Sequence, residues 1–174
     1  MNSTFETGGD GGTATTHDWL TPPEILQALG SFDMDPCASQ HQPWRTATTQ
    51  FTIEDDGLAR EWVGRVWCNP PYGPHAEKFL KRAAEHGNAV VLIFARTETK
   101  AFQEFCWQRA SGMLFMAGRI RFRLPGGGRR GTGRGAIRPD CLWARQRRGA
   151  AQQRAARLLC AASQHRAPAG AGRA

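Results

Sequence analysis

Asn69-Pro70-Pro71-Tyr72 carries the most specific chemistry in the chain. Two consecutive prolines fix the backbone and remove two N–H donors, leaving carbonyl oxygens directed at a ligand in a rigid geometry. The Asn69 side-chain oxygen and one such carbonyl can together accept both hydrogens of an exocyclic amine, and the Tyr72 ring offers a face for a planar base or amide. Asn-Pro-Pro is also an ordinary turn, but its place after the apolar Val66-Trp67-Cys68 and before Tyr favours the ligand-binding reading. Asp33-Met34-Asp35-Pro36-Cys37-Ala38-Ser39 is the second candidate. A carboxylate at a strand end, followed by Pro and small residues, suits an amino group or a ribose, although Asp-Pro also simply starts turns. Asp55-Asp56-Gly57 adds an acidic turn that could hydrogen-bond a ribose or adenine, and equally fits a solvated turn before Leu58 to Trp62.

Other chemistries find little support. His17, His41, His75 and His86 fall in turns or helix ends, with no Ser or Cys in a catalytic pattern beside them. Five scattered cysteines without a C-x-x-C pair indicate neither a disulfide framework nor a zinc cluster, so isolated thiols and no metal are expected. Trp19, Trp44, Trp62, Trp67 and Trp107 read as core or pocket walls.

The elements that must position these residues alternate as in a wound α/β domain. Thr21 is expected to cap a helix with Pro22 in its first position and Glu24 reaching back, with Ile25, Leu26 and Leu29 as its apolar stripe and Gly30 as its stop. Strands are predicted over Ser31 to Asp35, Val63 to Cys68 and Ala89 to Ala95, the last a continuous apolar run that suits a strand covered on both faces. Helices are predicted over Pro74 to His86 and Glu98 to Ala110, and short strands over Met113 to Met116 and Arg119 to Arg123. In open α/β sheets, ligands sit beyond the carboxyl ends of the strands, where both candidate motifs fall.

A length of 174 residues suits one domain with a real core. No apolar run approaches a membrane span and the polar, Gly-rich start lacks a signal pattern, so a soluble intracellular protein is expected. The net charge of +8 resides in the tail: residues 125 to 174 hold 11 Arg, no Lys and one acidic residue, whereas residues 1 to 124 carry a net charge of −2. Three readings compete for this Gly/Ala/Arg-rich segment. It is a disordered arm that grips phosphates, a short helix around Gln152 to Cys160 docked on the domain, or an out-of-frame translation. We favour the third, because Gly, Ala and Pro codons, and most Arg codons, begin with two G or C bases. Degenerate codons for Gly135 to Arg145 exist that, read one nucleotide later, spell Ala-Pro-Ser-Gly-Leu-Ile-Ala-Tyr-Gly.

His17 to Pro23, Phe32 to Ser39, Glu54 to Leu58, Val66 to Gly73 and Gly118-Arg119-Ile120-Arg121-Phe122 together resemble the Dam-like DNA N6-adenine methyltransferases of phages and prophages, in order and spacing over residues 17 to 124. The resemblance implies an S-adenosyl-L-methionine-dependent enzyme on a Rossmann-like methyltransferase fold, a wound sheet with flanking helices. In the family an Ala-Pro-Ser segment and an apolar strand follow Arg-Ile-Arg-Phe, and because this sequence lacks them in frame, its sheet is expected to be incomplete at the C-terminal strands. The resemblance implies a flexible N-terminus over 1–16, a methyltransferase domain over 17–124 and a tail over 125–174. It makes Asn69, Pro70, Pro71 and Tyr72 the catalytic motif and sets Trp19, Thr21, Pro22, Asp35, Pro36 and Asp56 against the cofactor. The implied partner is double-stranded DNA with a flipped adenine, in the cytoplasm of a bacterial host. Phosphate contacts would then fall to Lys78, Lys81, Arg82, Lys100, Arg119, Arg121 and Arg123, although the first three are better read as plain surface charge.

Two alternatives stay open. Asn-Pro-Pro-Tyr also serves methyltransferases acting on a protein glutamine amide, which presents the same planar NH2. A degenerate, inactive prophage product would bind nucleic acid only through its Arg-rich tail.

Overall fold

The computed structural model describes residues 19–116, 120–123 and 140–145. Its centre is a six-stranded sheet built from β1 (Met34–Asp35), β2 (Thr49–Gln50), β3 (Val66–Cys68), β4 (Ala89–Phe94), β5 (Gly112–Phe115) and β6 (Asp140–Arg145). The order is β2-β1-β3-β4-β6-β5. The first four strands are parallel, and β6 runs antiparallel to both β4 and β5. Helices α1 (Pro23–Leu29) and α2 (Pro74–His86) flank it. The mixed α/β class expected from the alternation is present, with a parallel sheet and flanking helices.

The apolar run of β4 packs two ways because successive side chains leave a strand on opposite faces. Val91 and Ile93 join Phe79, Leu80 and Ala83 of α2 and Phe102 and Phe105 on one face. Val90 and Leu92 join Leu26 and Leu29 of α1, Trp67 and Phe122 on the other. Each face therefore needs its own helix, and the sequence supplies one on either side.

Several expected elements shift. Thr21 does not cap α1. The helix begins at Pro23, with Pro22 as its extended N-cap (ψ 136) and no side-chain cap bond. A residue before proline is driven from the helical region, so Pro22 cannot be the first helical residue. Glu24 pairs instead with Arg123, 3.0 Å away. The strands expected over Ser31 to Asp35 and Val63 to Cys68 shrink to two and three residues. The helix expected over Glu98 to Ala110 is a π-helix over Phe102–Trp107, its widened turn marked by the bond from the Gln108 N–H to the Gln103 carbonyl. Residues 120–123 form no strand; Arg123 makes an isolated antiparallel bridge to Leu20. Position 119 lies outside the described residues, as do 1–18 and most of the expected tail.

Inside the segment expected to be a tail, β6 pairs with β4 along all six of its residues, from Ala89–Arg145 to Phe94–Asp140. An average over fifty residues rich in Gly, Ala and Arg masked the local apolar run Cys141-Leu142-Trp143-Ala144, which is long enough for a strand. A boundary at residue 124 therefore does not mark the end of the sheet.

Candidate active site

Strands β1 and β3 are neighbours whose onward connections lead to opposite sides, β1 to β2 and β3 to β4. A sheet opens a crevice at such a switch point, beyond the carboxyl ends of its strands. The two motifs singled out in the sequence follow these two strands, Pro36 after β1 and Asn69 after β3. A cavity of about 460 Å³ lies there, within the size range of small-molecule and cofactor sites.

Asn69 is half-buried and Pro70 fully buried, so the corner is anchored on the sheet. The Asn69 Nδ2 donates to the Trp19 main-chain carbonyl at 2.7 Å. Its Oδ1 is buried and has no hydrogen-bond partner. An acceptor left this way costs roughly 1–3 kcal/mol, which a donor entering the site would recover. The Thr21 hydroxyl is likewise buried without a partner on the same cavity wall. The Asn69 main-chain N–H donates to the Cys37 sulfur, and the Cys37 and Cys68 sulfurs lie 3.4 Å apart. Both are free thiols, as expected, in hydrogen-bond contact with each other. Burial pushes both up, Cys37 well above the ordinary thiol value.

Gly73, at φ 101, turns the chain from the proline corner into α2, a conformation open to glycine and strained for other residues. Tyr72, just before it, is half-buried and stacks on Phe94 at the end of β4, with the Trp19 ring edge-on at 5.9 Å.

On the β1 side, the Asp35 carboxylate is buried and both its oxygens are engaged, one by the Cys37 N–H at 3.0 Å and the other by the Thr46 hydroxyl. Burial raises its carboxyl to about 6, against the opposing effect of these bonds. Its visible role is to shape the Pro36–Ser39 loop. The acidic turn divides its labour. The Asp55 carboxylate accepts from the Thr52 N–H at 2.8 Å and the Thr52 hydroxyl at 3.0 Å, closing a capping box that holds its carboxyl below the usual range. Asp56 lines the cavity with φ 47. A Cβ at Gly57 would clash with the Pro36 carbonyl, so glycine lets this turn close against the β1 loop.

Of the residues expected at the site, Trp19, Thr21, Asp35, Pro36 and Asp56 line this one cavity together with Asn69, Pro70, Pro71 and Tyr72. Pro22 does not; it is buried at the start of α1. Sequence reasoning did not pick out Ile53, Phe79 or His75 as wall residues. Ile53 is 88% exposed on the rim, and between Thr52 and Glu54 it belongs to no apolar period that would have marked it. Trp19 and Trp67 are pocket walls as expected, but Trp107 is about half-exposed and away from the cavity. Among the expected phosphate contacts, Arg123 is tied to Glu24 and Arg82 donates to the Arg60 carbonyl. Lys78, Lys81, Lys100 and Arg121 are exposed.

Among the described residues, no group of three His, Cys, Asp or Glu side chains could hold a metal ion, and no helix is long and apolar enough to cross a membrane. No curated protein and no solved structure matches the chain. The family of DNA N-6-adenine-methyltransferases (Dam) matches residues 12–144, which include the proline corner, the β1 loop, the acidic turn and nearly all of β6. With most of its length covered by that match, the chain belongs to the DNA N-6-adenine-methyltransferase (Dam) family.

Proposed function

We propose that the chain transfers the methyl group of S-adenosyl-L-methionine to the N6 amino group of adenine in double-stranded DNA, on a base turned out of the duplex. The fold that carries this is read as Rossmann-like, and the compartment as the cytoplasm of a bacterial host. The observation that carries the proposal is the buried, unpartnered Asn69 Oδ1 at the switch-point cavity, an acceptor with nothing to accept until a donor arrives.

The cavity suits the cofactor by volume and by its donor set. The Pro36–Ser39 loop, the Asp56 carboxylate and the Thr21 hydroxyl are the groups that would hold it. S-adenosyl-L-methionine, when bound, supplies an electrophilic methyl on a sulfonium. The adenine amine is a poor nucleophile because its lone pair is delocalised into the ring. Hydrogen bonds from its two N–H groups to the Asn69 Oδ1 and the Pro70 carbonyl favour a pyramidal nitrogen and stabilise the positive charge that develops on it. Tyr72, backed on one face by Phe94, would stack against the extruded base on the other.

The test is transfer of a tritiated methyl group to duplex DNA, with protein acceptors in parallel. Label is expected in DNA as N6-methyladenine. Asn69→Ala is expected to abolish transfer while leaving cofactor affinity nearly unchanged. Label entering only protein would assign the site to a glutamine amide, and full activity in Asn69→Ala would remove the proposal.

A further inference from the structure

We infer that the Trp19 main-chain carbonyl is a positioning group that locks the Asn69 carboxamide in one orientation, so that the acceptor offered to the amine is a neutral amide oxygen and a carboxylate cannot replace it. This rests on the methyl-transfer reading above.

The carboxamide of an asparagine can rotate by half a turn and exchange its oxygen for its nitrogen. At Asn69 that exchange is barred. The position 2.7 Å from the Trp19 carbonyl oxygen must hold a donor, because two acceptor oxygens at that distance repel. The nitrogen is thereby committed and Oδ1 is left as the buried, unpartnered atom. A freely rotating Asn69 would present N–H groups to an incoming amine for part of the time, and two donors cannot pair.

The carbonyl is itself held in place by contacts from distant parts of the chain. Leu20 and Arg123 exchange main-chain hydrogen bonds of 3.3 and 3.0 Å. The Arg123 guanidinium reaches Glu24 at 3.0 Å, and the Trp19 ring packs edge-on to Phe122 at 5.5 Å. The segment at 120–123 therefore acts on Asn69 through the Trp19–Leu20 strap, without touching the amine site. Preorganisation of this kind raises rate by removing unproductive orientations before the substrate arrives.

Asn69→Asp separates this role from simple acceptance. Once ionised, the carboxylate that this substitution introduces would offer two good acceptors to the amine but would set one oxygen against the Trp19 carbonyl. Only the protonated acid, donating to that carbonyl, reproduces the asparagine geometry. The titratable groups around the position are Cys37, Cys68 and Asp35, with His75, Asp56 and Tyr72 on the cavity wall. Asp35 titrates in the same range, so the variant's profile is divided by that of the wild type.

The experiment has two readouts. The first is carbon-13 NMR titration of the new carboxyl in Asn69→Asp, expected to lie above the usual carboxylate range of about 4. The second is the pH dependence of methyl transfer in the same variant. Activity relative to wild type is expected to be retained at acidic pH and to fall by about a hundredfold as pH rises through that value. An ordinary or lowered carboxyl pKa, or a relative activity independent of pH, overturns the inference. Should Asn69→Asp fail to fold, nitrogen-15 labelling of the wild-type asparagine side chains decides. One Asn69 amide hydrogen protected from exchange supports the lock, and rapid exchange of both refutes it. An inactive wild type, together with a raised carboxyl pKa in Asn69→Asp, would sink the methyl-transfer reading and leave the lock standing.

Discussion

The Phe94 ring lies parallel to the Tyr72 ring, with centroids 4.2 Å apart and planes inclined by 16°. One face of the tyrosine is thus already covered by the last residue of β4. A base stacked on Tyr72 must use the opposite face. Stacking of a base on an aromatic side chain is worth about 1–3 kcal/mol by alanine substitution. Tyr72→Ala is accordingly expected to lower kcat/KM for duplex DNA by about 5- to 150-fold, and Tyr72→Phe to stay near wild type. Phe94→Leu should act in the same direction as Tyr72→Ala but more weakly. Steady-state kinetics on a short duplex with one target adenine tests this, and an unchanged kcat/KM in Tyr72→Ala refutes the stacking role.

The adjacent acids Asp55 and Asp56 differ in what they hold, and substitution should separate them. Asp55→Ala removes the acceptor of the Thr52 capping box and is expected to lower Tm with cofactor affinity little changed. Asp56→Asn, which keeps a residue type tolerant of the left-handed φ of 47, is expected to weaken cofactor binding several-fold through loss of the charged acceptor, with Tm in the absence of cofactor nearly unchanged. Thermal unfolding and titration calorimetry on both variants measure the two quantities. The reverse pattern would exchange the assignments.

Asp35 makes stability depend on pH in an uncommon direction. Its carboxyl is raised to about 6 in the folded chain, above its unfolded value near 4. The folded state therefore binds the proton more tightly, and the associated stability is present below about pH 4 and lost as pH rises to about 6. The shift of about two units corresponds to ~3 kcal/mol. In Asp35→Asn the amide oxygen can accept from the Cys37 N–H and the amide nitrogen can donate to the Thr46 hydroxyl, so both bonds persist without a titrating proton. The Tm of the variant relative to wild type is expected to rise between pH 4 and 6 and then level off. A difference constant across that range would contradict the buried carboxylate.

Strand β6 lies between β4 and β5, so the fate of the sheet rests on residues of the basic segment. A chain ending at residue 124 would leave the full length of β4 and all of β5 without their shared partner. It is expected to lose cooperative unfolding and cofactor binding, whereas a chain ending at residue 145 should keep both. Circular dichroism melts of the two truncations provide the comparison. Equal stability would show that β6 contributes nothing.

The reading frame of that segment makes a separate prediction. The shifted frame spells Leu-Ile-Ala-Tyr-Gly from codons 139–143, overlapping the first four positions of β6, 140–143. The gene sequence is expected to keep the shifted frame open through this region. An early stop codon, or no apolar strand in that frame, rejects the idea.

The sequence by itself determined the elements whose signals are local. The helix expected over Pro74 to His86 has those bounds, because Pro at its first turn and Gly87 after its end are chemical punctuation. The apolar run expected to be a strand over Ala89 to Ala95 and covered on both faces is one, over Ala89–Phe94. The chemistry of Asn69-Pro70-Pro71-Tyr72 was equally legible, since backbone rigidity and acceptor type are properties of the residues themselves. Only the tertiary structure decided what depends on neighbours remote along the chain. It brought Trp19 against Asn69 across fifty residues of chain, gave Asp55 and Asp56 different tasks, turned Asp35 inward to Thr46 and Cys37, and drew β6 out of a segment whose composition argued against any strand. A sequence displays which side chains can donate, accept or stack. Which of those capacities is already consumed inside the fold, and which is left facing the cavity, is settled only when the strands are laid side by side.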